Sequence, residues 1–277
     1  MKKKVLLLIT LALCAALAFG CGNDKSAQTP AGTDGENTKI VVGVTGGPHE
    51  MIMNKVKELA KEQGLDVEVV VFSDYIQPNV QLNEGELDMN AMQHAPFLEN
   101  TCQEKGYELS NIGQNILIPM CILSDKLEDL ADLADGALIG LPDDTTNEAR
   151  ALQLLASAGL ITLDENAGIM ATPKDITDNP KNLKFHEMEA GLLLPTLSEF
   201  DAAVVNSNYV VEAGMTPSND ALFVEPTENN PWVNIFACRS ADKDNANFQK
   251  LISIYQSDAV KAFIAETYPG DAVLAAW

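Results

Sequence analysis

An amide, an imidazole and an aromatic ring stand close together at Gln93, His94 and Phe97, closing the stretch ELDMNAMQHAPF (Glu86–Phe97). Leu87, Met89 and Ala91 alternate with Asp88, Asn90 and Met92, the period of a strand, and Pro96 stops the pairing pattern. Ligands of parallel α/β sheets sit beyond the carboxyl ends of the strands, so these three side chains are expected to project into a cleft. The competing reading is a strand end with a satisfied His94 and a core Phe97. Arg150 offers a complementary chemistry. In LPDDTTNEARALQLL (Leu141–Leu155), Thr145 and Glu148 match a capping box and predict a helix beginning there. Arg150 then falls within about the first turn and a half, where the helix dipole disfavours a cation. Asp143, Asp144 and Glu148 could compensate it at the surface. Alternatively, backbone N–H groups at that helix end already favour an anion, and a planar guanidinium beside them suits bidentate capture of a carboxylate.

Such groups need elements that aim them at one place, and the chain describes those elements twice. Lys39–Val44 is an apolar strand followed by a Gly-Gly-Pro turn, a helix and Gly64-Leu65; Ala137–Leu141 is an apolar strand followed by a polar turn, a helix and Gly159-Leu160. Downstream of the first unit comes the strand Leu87–Met92, with Asp88 early and Gln93 at its end. Downstream of the second comes Phe200–Val205, with Asp201 early and Asn206 at its end. Two α/β lobes of matching design, each aiming amides outward, imply a binding cleft between them.

Several other stretches fit that plan. Thr45–Pro48 (TGGP) lacks both GxGxxG and GxxxxGK[ST], so a glycine cap with Pro48 at the first helical position is the better reading than a phosphate loop. The helix after it, Glu50–Glu62, is amphipathic. Asp66–Phe72 is the second strand, and Tyr75 lies beyond its end, either facing the cleft or packed in the loop. Gly113–Leu123 (GQNILIPMCIL) is long enough to cross between lobes, and Phe223–Arg239 resembles the return crossing. Asn234, expected mid-strand between Val233 and Ile235, either bonds neighbouring backbone or faces ligand. Arg150 and Asn234 are both expected to face solvent when the lobes are open, and so to be dispensable for folding.

The amino terminus is of a different kind. Lys2, Lys3 and Lys4 precede the apolar run Val5–Phe19, which is shorter than the about 20 residues of a membrane span and reads as a secretory signal over residues 1–20. Cys21 directly after Gly20 resembles the lipobox of bacterial lipoproteins, although Ala18-Phe19 departs from the usual Leu-Ala; by that resemblance Cys21 is diacylated, which suffices for stable anchoring. Residues 21–38 carry no apolar periodicity and read as anchor and flexible tether. Removal of residues 1–20 leaves 15 basic against 40 acidic side chains, a net charge of −25. Such a surface repels phosphate backbones, which excludes nucleic acid as a partner, and it keeps a tethered domain off an anionic bilayer. Cys102, Cys121 and Cys238 have no CxxC spacing and no zinc-finger histidines; two could pair, and which two is open.

The segments GELDMNAMQHAPFLE, LPDDTTNEARALQLL, DITDNPKNL, DAAVVNSNYV, NNPWVNIFACR and YQSDAVKAFI, in this order, resemble the methionine-binding lipoprotein (MetQ/NlpA) family, the substrate-binding components of bacterial ABC importers. The resemblance implies a two-lobed periplasmic-binding-protein clamshell, type II-like, with two crossing hinge strands. Lobe 1 is then residues 39–117 and 229–277, and lobe 2 residues 118–228. By matching position, Arg150 holds the amino acid's carboxylate, Asn206 and Asn234 bond its ammonium and carboxylate ends, and Tyr75, Met92, His94 and Phe97 line the thioether pocket. Met92 departs from the family's usual Phe, exchanging a flat ring for a flexible chain of similar volume. That exchange opens the site to D-methionine or a methionine-containing dipeptide besides L-methionine. The implied partners are an ABC permease and its ATPase, and the membrane through the lipid anchor, on the extracytoplasmic face.

Two other classes compete. A lipid-anchored hydrolase has only His49, His94 and His186 to work with, and no GxSxG, HExxH or Asp-rich cation loop accompanies them. His94 with Asp88 could be drawn as a general-base pair, but strand alternation points them apart. An adhesin or scaffold lipoprotein leaves Arg150 and the asparagines without a task. The expectation is therefore a non-enzymatic binding protein with no catalytic residues, no metal site and no cofactor.

Overall fold

The structure, a computed structural model, describes residues 39–277; the leader, Cys21 and the tether lie outside the described residues. Ten strands build two five-stranded sheets: β1 (Lys39–Thr45), β2 (Asp66–Phe72), β3 (Met89–His94), β4 (Leu109–Gln114), β5 (Cys121–Leu123), β6 (Leu138–Pro142), β7 (Lys184–Met188), β8 (Ala202–Val205), β9 (Phe223–Val224) and β10 (Asn234–Arg239). The first sheet has the order β2-β1-β3-β10-β4 and the second the order β7-β6-β8-β5-β9. In each, the first three strands run parallel and the fourth runs antiparallel to them. The internal repeat read from the sequence is thus a repeat of topology, and the molecule is two-lobed.

Helices α1 (Pro48–Glu62), α2 (Gln77–Glu84) and α3 (Ala95–Lys105) follow the parallel strands of the first sheet, and α4 (Thr145–Ser157), α5 (Ala190–Leu193) and α6 (Ser207–Glu212) those of the second. Each sheet is covered on both faces, which is why its central strands read as apolar runs. Ile40, Val42, Val56, Phe236 and Tyr255 form the core on one side of the first sheet, and Leu82, Leu87, Leu98 and Ile235 the core on the other. Leu141, Leu152, Leu155 and Val204, then Leu193, Phe200, Val205 and Val210, do the same for the second. Each such side chain, fully buried, stabilises by about 1.5–3 kcal/mol.

Two expected strands begin two residues late, and the same physical reason serves both. Asp88 precedes β3 and its Oδ2 accepts the Val41 N–H at 2.7 Å; Asp201 precedes β8 and its Oδ2 accepts the Leu138 N–H at 2.8 Å. Each carboxylate takes a place in the ladder that a backbone carbonyl would otherwise hold. Asp88 is committed there, so no general-base pair with His94 exists. The strand β3 runs on to His94 itself, and Pro96 falls in the first turn of α3.

Both crossings run between the sheets, since β4 and β10 belong to the first and β5 and β9 to the second. Each is interrupted. Ile116–Leu117 leaves the sheet to pair with Leu274–Ala275, and an irregular stretch holding Glu225 and Trp232 separates β9 from β10. Asn234 therefore opens its strand and does not sit in the middle of it. The two crossings touch where the Asn115 N–H donates to Asn234 O at 2.8 Å. The glycine turn before α1 behaves as expected: Gly47 is the N-cap at φ 74° and Pro48 is the first helical residue. A Cβ on Gly47 would lie 2.8 Å from Asn208 O, so this turn also accepts the other lobe at close range. Cys102, Cys121 and Cys238 are all free thiols. Among the described residues no helix is long and apolar enough to cross a membrane.

Candidate functional site

The carboxyl ends of β3 and β8 and the start of β10 meet the amino ends of α1, α4 and α6 around a cavity. All seven residues named as ligand-binding from the sequence line it: Tyr75 from a loop, Met92 and His94 from β3, Phe97 from α3, Arg150 from α4, Asn206 after β8, and Asn234. His49, Gln93, Ile118, Asn147, Ser207 and Asn208 complete the wall. No Asp or Glu is among the lining residues.

On the first lobe the polar groups bind one another. Asn79, Asn90 and Gln93 form a buried amide knot in which Gln93 Nε2 donates to Asn79 Oδ1 and Asn90 Oδ1 at 2.7 Å each, and Asn79 Nδ2 donates to Gln93 Oε1 at 2.8 Å. Gln93 therefore reaches the cavity wall with its amide already engaged, contrary to the expectation that it projects freely. His94 caps α3, its Nδ1 accepting the Phe97 N–H at 3.1 Å. That acceptor role puts the proton on Nε2, which donates to Asn147 Oδ1 across the cleft at 3.3 Å. The His94 ring also meets Trp232 edge-on, with centroids 4.9 Å apart. Burial first, and then the Arg150 charge, push the His94 pKa down to about 3, so the ring is neutral.

Asn234 lies opposite His94 in the β3–β10 register, and its side chain bonds no backbone group. Thr45 Oγ1 lies 2.9 Å from His49 Nδ1, and His49 Nε2 lies 3.1 Å from Asn234 Oδ1. An amide oxygen only accepts, so the His49 proton is on Nε2 and Thr45 donates to Nδ1. With Oδ1 occupied, Asn234 presents Nδ2 as a donor. Burial pushes the His49 pKa down to about 4, which keeps this chain of bonds in one direction.

The second lobe leaves polar atoms unspent. The cap of α4 is Asp144, one residue before the expected Thr145, and Glu148 takes no part: Asp144 Oδ1 accepts the Asn147 N–H at 2.9 Å and Oδ2 accepts Asn147 Nδ2 at 2.8 Å. A carboxylate on Nδ2 turns Asn147 Oδ1 toward the cavity, where it accepts Asn206 Nδ2 at 2.9 Å. Asn206 Oδ1 is then a buried acceptor with no partner. Asn208 gives Oδ1 to the Tyr75 hydroxyl at 2.6 Å and keeps a buried, unpartnered Nδ2; Ser207 Oγ is likewise unpartnered. Buried polar atoms without partners cost roughly 1–3 kcal/mol each, so three around one cavity argue for a ligand that supplies the missing bonds.

Arg150 is not a surface residue compensated by Asp143, Asp144 or Glu148. It is 4% exposed and bound by Glu225, with Nε donating to Oε1 at 2.9 Å and Nη2 to Oε2 at 2.5 Å. Nη2 also donates to Ile118 O at 2.9 Å, and Trp232 lies beneath the guanidinium carbon, 5.6 Å from ring centroid. These bonds account for Nε and Nη2 and leave Nη1 for the cavity.

The NlpA lipoprotein family profile matches residues 40–277. The chain belongs to the NlpA lipoprotein family. The D-methionine-binding lipoprotein MetQ of Salmonella typhimurium is 38% identical over 266 residues, 95% of this chain and 94% of its own. A nutrient binding protein from Burkholderia cenocepacia, solved bound to methionine, is 40% identical and matches 86% of this chain and 100% of its own with a TM-score of 0.82. An ABC transporter periplasmic substrate-binding protein from Coxiella burnetii is 39% identical, with a TM-score of 0.81 over 86% of this chain and 100% of its own.

For this NlpA-family chain, sequence reasoning missed Asn147, Ser207 and Asn208 in the wall and Glu225 behind it. Asn147 had a signal, since it stands one helical turn before Arg150 on the same face. Asn208 and Ser207 had one too, in the polar run directly after β8. Glu225 had none, because its bond to Arg150 spans 75 residues of sequence.

Proposed function

We propose that this NlpA-family chain is an extracytoplasmic solute-binding lipoprotein that captures methionine and hands it to an ABC permease and its ATPase. The observation that carries the reading is the set of unspent atoms around the cavity. Arg150 Nη1 and Asn234 Nδ2 are donors suited to a carboxylate, and Asn206 Oδ1 is a buried acceptor suited to an ammonium. Tyr75, Met92, Phe97 and Ile118 supply an apolar remainder for a thioether. Arg150 with Glu225 is neutral as a pair, so a zwitterion enters without leaving an excess charge buried. Nothing in this arrangement activates a nucleophile: both cavity histidines are neutral and fully engaged, so the site binds and does not turn over. The relatives' names, which refer to methionine and to ABC transport, support the same reading.

L-methionine is the first choice. D-methionine is the second, favoured by the name of the Salmonella relative and by the flexible Met92 in the wall. Ligand contacts from both lobes favour closure only by their differential affinity for the closed form. We divide the lobes at 117/118 and 228/229, inside the two interrupted crossings. We assign the lipid anchor to Cys21; Cys21→Ala should release the protein from membranes of its host, and a variant that stays membrane-bound without lipid rules this anchor out. The binding test is calorimetric titration of unfolded, ligand-stripped and refolded protein with L-methionine, D-methionine and Gly-Met. Tight binding of a free methionine enantiomer without chemical change is the expected result; no heat with any of the three sinks the assignment.

A further inference from the structure

Arg150 is tied to the two crossings more than to its own lobe. Its Nη2 bonds Ile118 O in the first crossing, and its Nε and Nη2 bond Glu225, which stands directly after β9 in the second. Glu225 in turn accepts the Met120 N–H of the first crossing at 3.0 Å through Oε2. Trp232, under the guanidinium, belongs to the second crossing as well. Glu225 is only 7% exposed. A buried ion pair is a poor device for stability alone, since a well-packed apolar replacement is often neutral or better. Its presence here calls for another purpose.

We propose that Glu225 is the positioning residue of the carboxylate subsite. It pins two guanidinium nitrogens so that Nη1 alone points at the ligand, and it links an occupied subsite to both crossings, standing in the second itself and accepting the Met120 N–H of the first. This rests on reading the cavity as a methionine site. Glu225 also sets how the carboxylate is held. With Arg150 neutralised from behind, the ligand anion meets oriented donors instead of an excess positive charge. Geometry and charge then make opposite forecasts for Glu225→Gln. That change raises the positive charge of the subsite, yet it turns an amide N–H₂ toward donors and releases the guanidinium.

The experiment titrates stripped wild type, Glu225→Gln and Glu225→Asp with methionine, and with methioninol, which lacks the carboxylate, by displacement at millimolar concentration. Ligand-free thermal midpoints are recorded alongside. Glu225→Gln should lose at least about 30-fold for methionine, the lower bound for breaking a buried charge pair, while methioninol changes by less than about threefold. Glu225→Asp keeps the charge on a shorter arm and should recover part of the loss. If the Gln variant does not fold, the Asp variant carries the test: methionine weakened, methioninol unchanged. Tighter methionine binding by Glu225→Gln overturns the proposal in favour of charge alone. Equal losses for both ligands overturn it in favour of plain structural support. A wild type that binds no methionine removes the underlying reading instead.

Discussion

At the carboxyl end of β3 stand Gln93 and His94; at the corresponding end of β8 stand Asn206 and Ser207. The places are equivalent in topology, and so are the carboxylates of Asp88 and Asp201 that open the two strands. The use made of the polar atoms is opposite. On the first lobe they are consumed internally, by the Asn79–Asn90–Gln93 knot and by the Thr45–His49–Asn234 chain. On the second, Asn206 Oδ1, Ser207 Oγ and Asn208 Nδ2 are buried with no partner. One lobe supplies a stiff wall with a single oriented amide, and the other supplies the groups that wait for a head group. A duplicated plan can thus be divided by function without changing a strand order.

The strongest way to break this division is Arg150→Ala. Loss of the carboxylate's charged partner from a desolvated site costs roughly 2–5 kcal/mol, about 30- to several-thousand-fold in dissociation constant. The sequence alone suggested that the ligand-free protein would be indifferent to the change. The buried Glu225 says otherwise, because its carboxylate is left without a partner, and the midpoint should fall as well. Near-normal methionine binding by this variant would move the carboxylate subsite elsewhere.

Acidification sets the imidazoles of the first lobe against Glu148 of the second, which burial first and then the Glu187 charge raise to about 7 and which contributes with the opposite sign. Burial holds His49 at about 4 and His94 at about 3, against an ordinary imidazole value of 6.5. Between about pH 6.5 and 4 the unfolded chain binds protons that the native rings refuse, so the rings' contribution to stability is full above 6.5 and declines as pH falls through that window. The shift of His49 alone corresponds to roughly 3 kcal/mol at its acid end. In thermal midpoints of ligand-free protein across pH 4–7.5, wild type should lose more on the acid side than His49→Gln, and the difference should open below about pH 6.5. A His49→Gln profile parallel to wild type at every pH would mean that the His49 ring protonates freely in the native state.

The same contrast explains what was legible in the sequence. Alternation and the spacing of Gly, Pro and Asp exposed the three parallel strands of the first sheet, two of the second, the repeat, and the carboxyl ends of β3 and β8 to within two residues, because these signals are local; Leu109–Gln114 and Lys184–Met188 went unread. Arg150 was conspicuous for the wrong partner: its neighbours Asp143, Asp144 and Glu148 are close in sequence, whereas Glu225 comes from the far crossing. Which amide faces the ligand was illegible for a related reason. Gln93 and Asn206 are alike as residues, and only their neighbours decide that one is engaged and the other free.

Paired substitutions sharpen that point. Asn90→Ala withdraws a donor from Asn79 and an acceptor from Gln93, and should lower stability by about 1–3 kcal/mol while changing methionine affinity by less than about twofold. Asn206→Ala removes an unpartnered acceptor together with the Nδ2 bond to Asn147 Oδ1, an oxygen that His94 Nε2 still serves, so stability should fall by no more than about 1 kcal/mol. Affinity should drop by about 1–3 kcal/mol, roughly 5- to 150-fold. Thermal midpoints and titrations of the two variants, read together, must show this crossed pattern. If both variants lose mainly stability, or both mainly affinity, the two lobes are not divided as described.

The smallest expected effect concerns the wall itself. Met92 is 3% exposed, lies in β3 and faces the cavity beside His94 and Phe97. A phenylalanine there would offer a flat ring to a ligand sulfur, a contact worth about 0.3–1.5 kcal/mol. Against this stands the strain of placing a ring in a packed sheet, about 1–3 kcal/mol when no space is available. Met92 borders the cavity, so a ring there meets packed neighbours on fewer sides than it would inside the sheet. Met92→Phe should therefore tighten L-methionine by about 1 kcal/mol, roughly fivefold, and widen the gap between the L and D forms as a rigid ring replaces a chain that adjusts to either. The check is titration of both enantiomers against wild type and variant. An unchanged or weaker L-methionine affinity with a lowered thermal midpoint would mean that the wall is already filled, and that the stiffness of the first lobe extends to Met92.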